Sequence, residues 1–145
     1  MAYLLVKFVH LIAAAFFIGG VFFEVMILSR ATPVLHPGAR EQLSKALGRR
    51  ARQVMHWVVM ALYGAGLTLA WHYRAALAEP FASRFSTLLS VKIFLALSIL
   101  GHFLAVVYFM RAGRLTAARS RFIHLSVLVQ MVAIVFLAKA MVLSG

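Results

Sequence analysis

Eight ionisable side chains interrupt the apolar stretches of this chain, and they are the residues best suited to chemistry. They are His10, Glu24, His56, His72, Lys92, His102, His124 and Lys139. An ionisable group inside hydrocarbon is costly unless it is paired or ligated, so each is a functional candidate. Most are histidines, and imidazole is the commonest metal ligand among side chains. The set therefore indicates a metal or cofactor.

Two metal chemistries fit imidazoles in an apolar helical protein. A b-type haem takes axial imidazoles and needs an apolar slot between helices. Copper is the rival, because the chain also contains seven methionines and thioethers suit Cu(I). The methionines are scattered, however, and only Met55 stands beside a histidine, His56. Zinc is less favoured still, since no His-Glu-x-x-His spacing occurs. Haem b is the predicted cofactor and copper the alternative.

The elements that carry these residues are predicted to be membrane-spanning helices. Of the 145 residues, 64% are apolar, against about 45–50% in soluble domains. A span needs roughly 20 mostly apolar residues. Four stretches qualify, at 3–28, 54–77, 85–110 and 122–143, and a short interfacial helix is predicted at 39–47. The short linkers predict an all-α, up-down four-helix membrane bundle, with residues 1–145 forming a single transmembrane domain.

Charge predicts the orientation of the bundle. Fifteen Lys and Arg against three acidic residues give a net charge of +12. The first and third linkers carry most of these cations and the second carries Arg74 and Arg84, so the first and third linkers are predicted to be cytoplasmic. Both termini would then be periplasmic in a bacterial inner membrane. Nucleic acid is not a predicted partner, because no basic face with interleaved aromatics occurs. The absence of cysteine excludes disulfides and thiolate sites.

Depth along the spans sorts the candidates into two layers, taking about 1.5 Å of rise per residue. The outer layer is His10, His72, Lys92 and Lys139, and the inner layer is Glu24, His56, His102 and His124. His10 with His72 is the predicted outer ligand pair, and His102 with His124 or His56 the inner one. Small residues would make room for a macrocycle: Ala13, Ala14, Ala15, Gly19 and Gly20 on the first span, Gly64 and Gly66 on the second.

Simpler interpretations compete with these. His56, His72 and His124 lie near helix ends, where an interfacial position is equally expected, and Lys139 is expected to reach the interface. Small residues in membrane helices commonly serve close helix packing. Spacings of seven place His10, Phe17 and Glu24 on one stripe. His10 and His102 are well inside their spans and are the hardest to explain without a ligand.

The sequence resembles a known family at two places. Lys7-Phe-Val-His10-Leu-Ile-Ala-Ala, followed by Gly19-Gly20, is similar to the first helix of the HemJ/CopD-like membrane proteins. Val91-Lys92-Ile-Phe-Leu-Ala-Leu and Gly101-His102-Phe103 are similar to the family's third helix. The four-helix layout with a basic first linker also matches. The segment Phe22–Met26 lacks the family's Pro and Arg, and Ser90 stands where the family has a histidine.

The resemblance implies a haem-associated membrane redox protein. HemJ proteins oxidise protoporphyrinogen IX and bind haem b, whereas CopD proteins are associated with copper uptake or resistance. His10 would be an iron ligand or a substrate-side histidine, and Lys92 would be the family's buried lysine. We expect Lys92 to orient acidic substituents or propionates. Glu24 is expected to relay protons or to pair with a cytoplasmic arginine. The expected function is oxidation of an apolar donor, porphyrinogen or quinol, with the lipid bilayer and a homo-oligomer or larger complex as partners. Copper transport and a structural-subunit role are the alternatives.

Overall fold

The computed structural model describes residues 1–143, and all regular structure in that range is helical. The α-helices are α1 Ala2–Phe22, α2 Ser29–Ala31, α3 Pro37–His72, α4 Arg74–Ala78, α5 Arg84–Arg111 and α6 Ala117–Leu143. A π-helical segment, Phe23–Leu28, and a 3-10 turn, Thr32–Val34, flank α2. Four helical stretches are long and apolar enough to cross a membrane: Ala2–Val34, Pro37–His72, Arg84–Arg111 and Ala117–Leu143. The prediction of an all-α chain with four membrane-length helices is confirmed.

The first span is longer than predicted and contains a change of helix type. The Ser29 amide donates to the Glu24 carbonyl, five residues earlier, which is the π-helical pattern. The Ser29 hydroxyl donates to the Val25 carbonyl at 2.6 Å, and Thr32 repeats the arrangement on Leu28 at 2.9 Å. These hydroxyls bond to carbonyls near the altered turn, and the chain stays helical to Val34, beyond the predicted end at residue 28.

The predicted interfacial helix at 39–47 and the second span are one element, α3. No proline follows Pro37 before residue 80, and an exposed Glu41–Lys45 ion pair of 2.6 Å spans one turn within the predicted interfacial helix. At about 1.5 Å per residue, 36 residues extend about 54 Å. The hydrocarbon of a bilayer is about 30 Å thick, so the basic end of α3 reaches well beyond it. The helix ends at His72, and α4 carries the chain on to Ala78.

The chain divides into two compact units, Met1–His72 and a second unit that begins at Tyr73. In the first unit α1 and α3 run antiparallel: His10 lies against Leu62, while Gly20, further along α1, lies against Met55, earlier on α3. A Cβ on Gly20 would collide with the Met55 Cε. Glycine therefore makes room here for the end of the Met55 side chain.

A short apolar stripe forms the core of the first unit. Ala13, Phe17 and Val21 are buried at spacings of four along α1, and Val59 is buried on α3. Residues four apart lie on one helical face, so this face of α1 is the one directed at α3. Much of the remaining apolar surface is exposed, for example Leu67 at 70%, as expected of helices that face lipid.

The second unit is an antiparallel pair formed by α5 and α6. His102 meets Ser126 across the pair, and Phe109, later on α5, meets Arg119, earlier on α6. The buried side chains on α6 are Ile123, Val127 and Met131, again four apart. They face the same helix that carries His102, so polar and apolar contacts share one seam.

Local capping sets the ends of the second unit's helices. The Ser83 hydroxyl accepts the Ser86 amide at 3.1 Å, which begins α5. Gly113, at a φ of 64°, follows the end of α5, and the Arg114 amide turns back to the Phe109 carbonyl at 2.8 Å. A left-handed residue after a helix is the usual glycine terminus. The result is a tight connection into α6.

Candidate cofactor-binding histidines

His10 is held by the backbone of the neighbouring helix. Its Nδ1 lies 3.0 Å from the Leu62 carbonyl oxygen of α3, and the ring is half-buried. A carbonyl oxygen can only accept, so Nδ1 carries the proton. In the neutral ring, Nε2 is then the basic nitrogen. In histidines that ligate metals, the ring nitrogen that does not bind the metal typically donates to a backbone carbonyl or a carboxylate. That bond fixes the tautomer and the ring orientation.

The position of the His10 ring depends on a glycine. A Cβ built on Gly66 would lie 3.2 Å from the ring Cε1 and 3.4 Å from Nδ1. Gly66 was predicted as one of several residues that make room for a macrocycle, and the structure shows that it makes room for the imidazole. At Gly64, by contrast, a Cβ would meet nothing within 4 Å. The two glycines therefore differ in function although they are two residues apart.

His72 lies at the end of α3 and is exposed. Its ring packs against Tyr3, near the start of α1, with centroids 4.8 Å apart and a tilt of 36°. Six residues separate His72 from Gly66, which is about 9 Å along the helix. The predicted outer pair, His10 and His72, therefore lies within one unit. His72 lies nearer than His10 to the start of α1 and to the end of α3.

His102 stands in a chain of polar contacts in the second unit. Its Nδ1 lies 2.7 Å from the Ser98 carbonyl oxygen, one turn earlier on α5. Its Nε2 lies 3.3 Å from the Ser126 hydroxyl on α6, and Gln130 donates to that hydroxyl at 3.1 Å. The ring is thus oriented from both nitrogens, and ligation of iron through Nε2 would require the Ser126 hydroxyl to turn away.

His124 repeats the same local arrangement on α6. Its Nδ1 lies 2.7 Å from the Ser120 carbonyl oxygen and 3.3 Å from the Ser120 hydroxyl. The side chain is half-buried. His10, His102 and His124 therefore share a protonated Nδ1 that faces a backbone carbonyl, which leaves Nε2 as the basic nitrogen of each ring.

The two predicted catalytic residues occupy different settings. Lys92 is half-buried on α5, whereas Glu24 is exposed on the π-helical segment. The sequence placed Glu24 on one stripe with His10 and Phe17. The structure keeps His10 half-buried and Phe17 buried, but the wider π-helical turn begins at Phe23 and changes the phase of the residues that follow.

Two features of the site were not predicted. The Leu62 carbonyl cannot be identified from sequence, because every residue has one and only the packing of α1 on α3 selects it. The Ser126–Gln130 pair carried a signal, since residues four apart share a helical face. Ser126 also lies across the α5–α6 seam from His102, which only the pairing of these helices reveals.

The fold defines a class, namely helical proteins with four helices suited to crossing a membrane. Comparisons of the chain with protein-family models, characterised proteins and solved structures find no match. Among residues 1–143, no three His, Cys, Asp or Glu side chains are grouped as a metal site. Haem ligation makes a smaller demand on the protein, since one or two imidazoles hold the iron. His10, His102 and His124 each direct Nδ1 at a backbone carbonyl, which is the tautomer that ligation through Nε2 requires.

Proposed function

We propose that this protein is a haem b-binding membrane redox protein of the HemJ/CopD-like type. Its expected activity is the oxidation of an apolar donor, a porphyrinogen or a quinol, by an oxidoreductase embedded in a bacterial inner membrane. The up-down arrangement of all four helices, with both termini periplasmic, belongs to the same proposal and rests on the distribution of basic residues.

One observation carries the proposal: the His10 imidazole is fixed between helices with Nε2 as its basic nitrogen. The Leu62 carbonyl accepts the Nδ1 proton at 3.0 Å, and the absent side chain of Gly66 provides the space for the ring. Together the two features fix the tautomer and the orientation of the ring, as in histidines that ligate metals. An imidazole deep in an apolar span is also costly to keep without a partner of this kind.

Each candidate residue has its own role in the proposed activity. His10 would hold the iron, with His72 as the candidate second ligand in the same unit, and His102 with His124 is the candidate ligand pair of the second unit. Lys92 would orient acidic substituents of a porphyrin or its propionates through charge-assisted hydrogen bonds. Glu24 would exchange protons at the basic end of the first unit. Haem b, when bound, supplies one-electron chemistry at a potential set by its ligands and burial.

A visible spectrum of the detergent-purified protein tests the proposal. The expected result is a Soret band with sharp α and β bands on reduction, lost in His10→Ala. His36→Ala is the matched control, because His36 is exposed between Val34 and α3, and it should leave the bands unchanged. Circular dichroism and size exclusion show whether each variant folds. A colourless wild-type protein that also fails to bind added haemin would refute the proposal, and stoichiometric copper binding instead would support transport.

A further inference from the structure

The basic end of α3 extends beyond the length that a bilayer requires. About 20 residues cross the hydrocarbon, and that many residues counted back from the end of α3 at His72 reach residue 53. The residues before them, 37–52, continue the same helix for about 24 Å. They carry five cations and one acid, all exposed: Arg40, Glu41, Lys45, Arg49, Arg50 and Arg52. Basic clusters of about this size beside a membrane span are typical of sites for anionic lipids.

Two of these arginines share one side of the helix. Arg49 and Arg52 are three residues apart and therefore neighbours on one helical face, whereas Arg40 and Arg50 lie on other sides. The Arg52 Nη1 lies 3.5 Å from the position that a Cβ on Gly48 would take. The Arg52 side chain thus reaches back one turn, away from the apolar span, as basic side chains at a membrane edge do. Its guanidinium lies over a glycine that directly precedes Arg49.

The charges of Arg49 and Arg52 are not offset by the chain. Glu41 pairs with Lys45 at 2.6 Å, and neither arginine has an ion-pair partner among residues 1–143. Like charges one helical turn apart repel each other, so an external anion would stabilise this surface. Gly48 lies about 7–8 Å beyond residue 53 along the helix, and the headgroup layer of a bilayer extends about 5–8 Å from the hydrocarbon. The anion available at that depth is a lipid phosphate.

We propose that Arg49 and Arg52, with Gly48 between them, bind the phosphate of an anionic phospholipid headgroup. A guanidinium donates two parallel N–H groups to phosphate oxygens, and glycine leaves the helix surface between the two arginines uncovered. Two cations against one phosphate leave positive charge in excess. A lipid with a net negative charge therefore binds better than a zwitterionic lipid, whose own cation is repelled. This site depends on neither haem nor the proposed oxidation.

Native mass spectrometry of the purified full-length protein in detergent tests the site with three probes. These are phosphatidylglycerol, phosphatidylcholine with the same acyl chains, and soluble glycerol phosphate. Each cation near an anionic headgroup contributes about fivefold in affinity, so phosphatidylglycerol should bind about thirtyfold more tightly than phosphatidylcholine. The double variant Arg49→Gln, Arg52→Gln should lose that preference. Arg40→Gln, Arg50→Gln is the matched control, because it removes the same charge from other sides of the helix, and it should lose less than about fivefold.

A second variant supplies the anion from within the chain. Gly48→Glu places a carboxylate one turn before Arg52, the favourable order for a helical ion pair, and should reduce phosphatidylglycerol affinity at least about tenfold relative to Gly48→Gln. Both variants should fold, since replacing a helical glycine favours the helix and the Cβ meets Arg52 at an ordinary contact distance. Equal affinities for the two lipids, equal losses in the two double variants, or equal binding by Gly48→Glu and Gly48→Gln would overturn the inference. Glycerol phosphate that binds as tightly as phosphatidylglycerol would also overturn it, because the site would then take free phosphate.

Discussion

Substituting Gly66 by alanine tests how the first unit holds His10. The added Cβ would lie 3.2 Å from the ring Cε1, which is inside the ordinary contact distance of about 3.5–4.0 Å between carbon atoms. The ring must move by several tenths of an ångström, and the bond from Nδ1 to the Leu62 carbonyl, now 3.0 Å, must lengthen or bend. Gly64→Ala is the control, because a Cβ there meets open space.

The two substitutions should change the free energy of unfolding by different amounts. Replacing glycine by alanine inside a helix stabilises it by about 0.8–1.0 kcal/mol. Gly64→Ala should show that gain in full. Gly66→Ala should lose about 0.5–1.5 kcal/mol through the weakened hydrogen bond, so its net stability change should be close to zero. The expected difference between the variants is therefore about 1 kcal/mol.

The assay measures both stability and the state of the ring. Unfolding of each variant in mixed micelles gives the stability difference, and 15N chemical shifts of labelled histidine report the protonated nitrogen of His10. The Nδ1–H signal should shift in Gly66→Ala and stay in place in Gly64→Ala. Equal stabilisation by both substitutions, with an unmoved His10 signal, would refute the claim that Gly66 seats the ring.

Three further predictions concern the ends of the helices. Ser83→Ala removes the hydroxyl that accepts the Ser86 amide and should destabilise the second unit by about 1 kcal/mol. Ser83→Asp keeps an acceptor at this position and should restore the stability. Thermal unfolding of both variants measures the difference. Gly113→Ala places a side chain at a φ of 64° and should cost about 1–2 kcal/mol, with Gly113→Asn costing less in the same melt. Glu41→Gln breaks the exposed pair with Lys45 and should change stability by less than about 0.5 kcal/mol, so a larger loss would show that the pair is not simply a surface contact.

The four long helices were predictable because membrane spans are a property of local composition. Runs such as 85–110 and 122–143 are apolar over a full bilayer thickness, and the observed α5 and α6 include them. The sequence also contains no signal that would interrupt α3, since no proline separates 39–47 from the second span. The predicted boundary there reflected a change in hydropathy, which does not end a helix.

The candidate site was predictable in residue type and much less in partners. His10 and His102 stood out because imidazole is unusual deep in a span. The bonds from His10 to Leu62 and between His102 and Ser126 cross from one helix to another, so they depend on how each helix is rotated against its neighbour. The π-helical segment likewise changes the phase at Glu24, and seven-residue spacing assumes a regular helix throughout.

The claim that the His10 imidazole ligates haem iron has one direct test, in which the ligand is removed and then returned in solution. His10→Gly deletes the side chain and leaves space for a free imidazole beside the Leu62 carbonyl. The purified variant should lose the haem spectrum of the wild type and regain it when millimolar imidazole and haemin are added. A variant that keeps the wild-type spectrum without imidazole, or that stays colourless with both added while the wild type binds haem, would contradict the assignment.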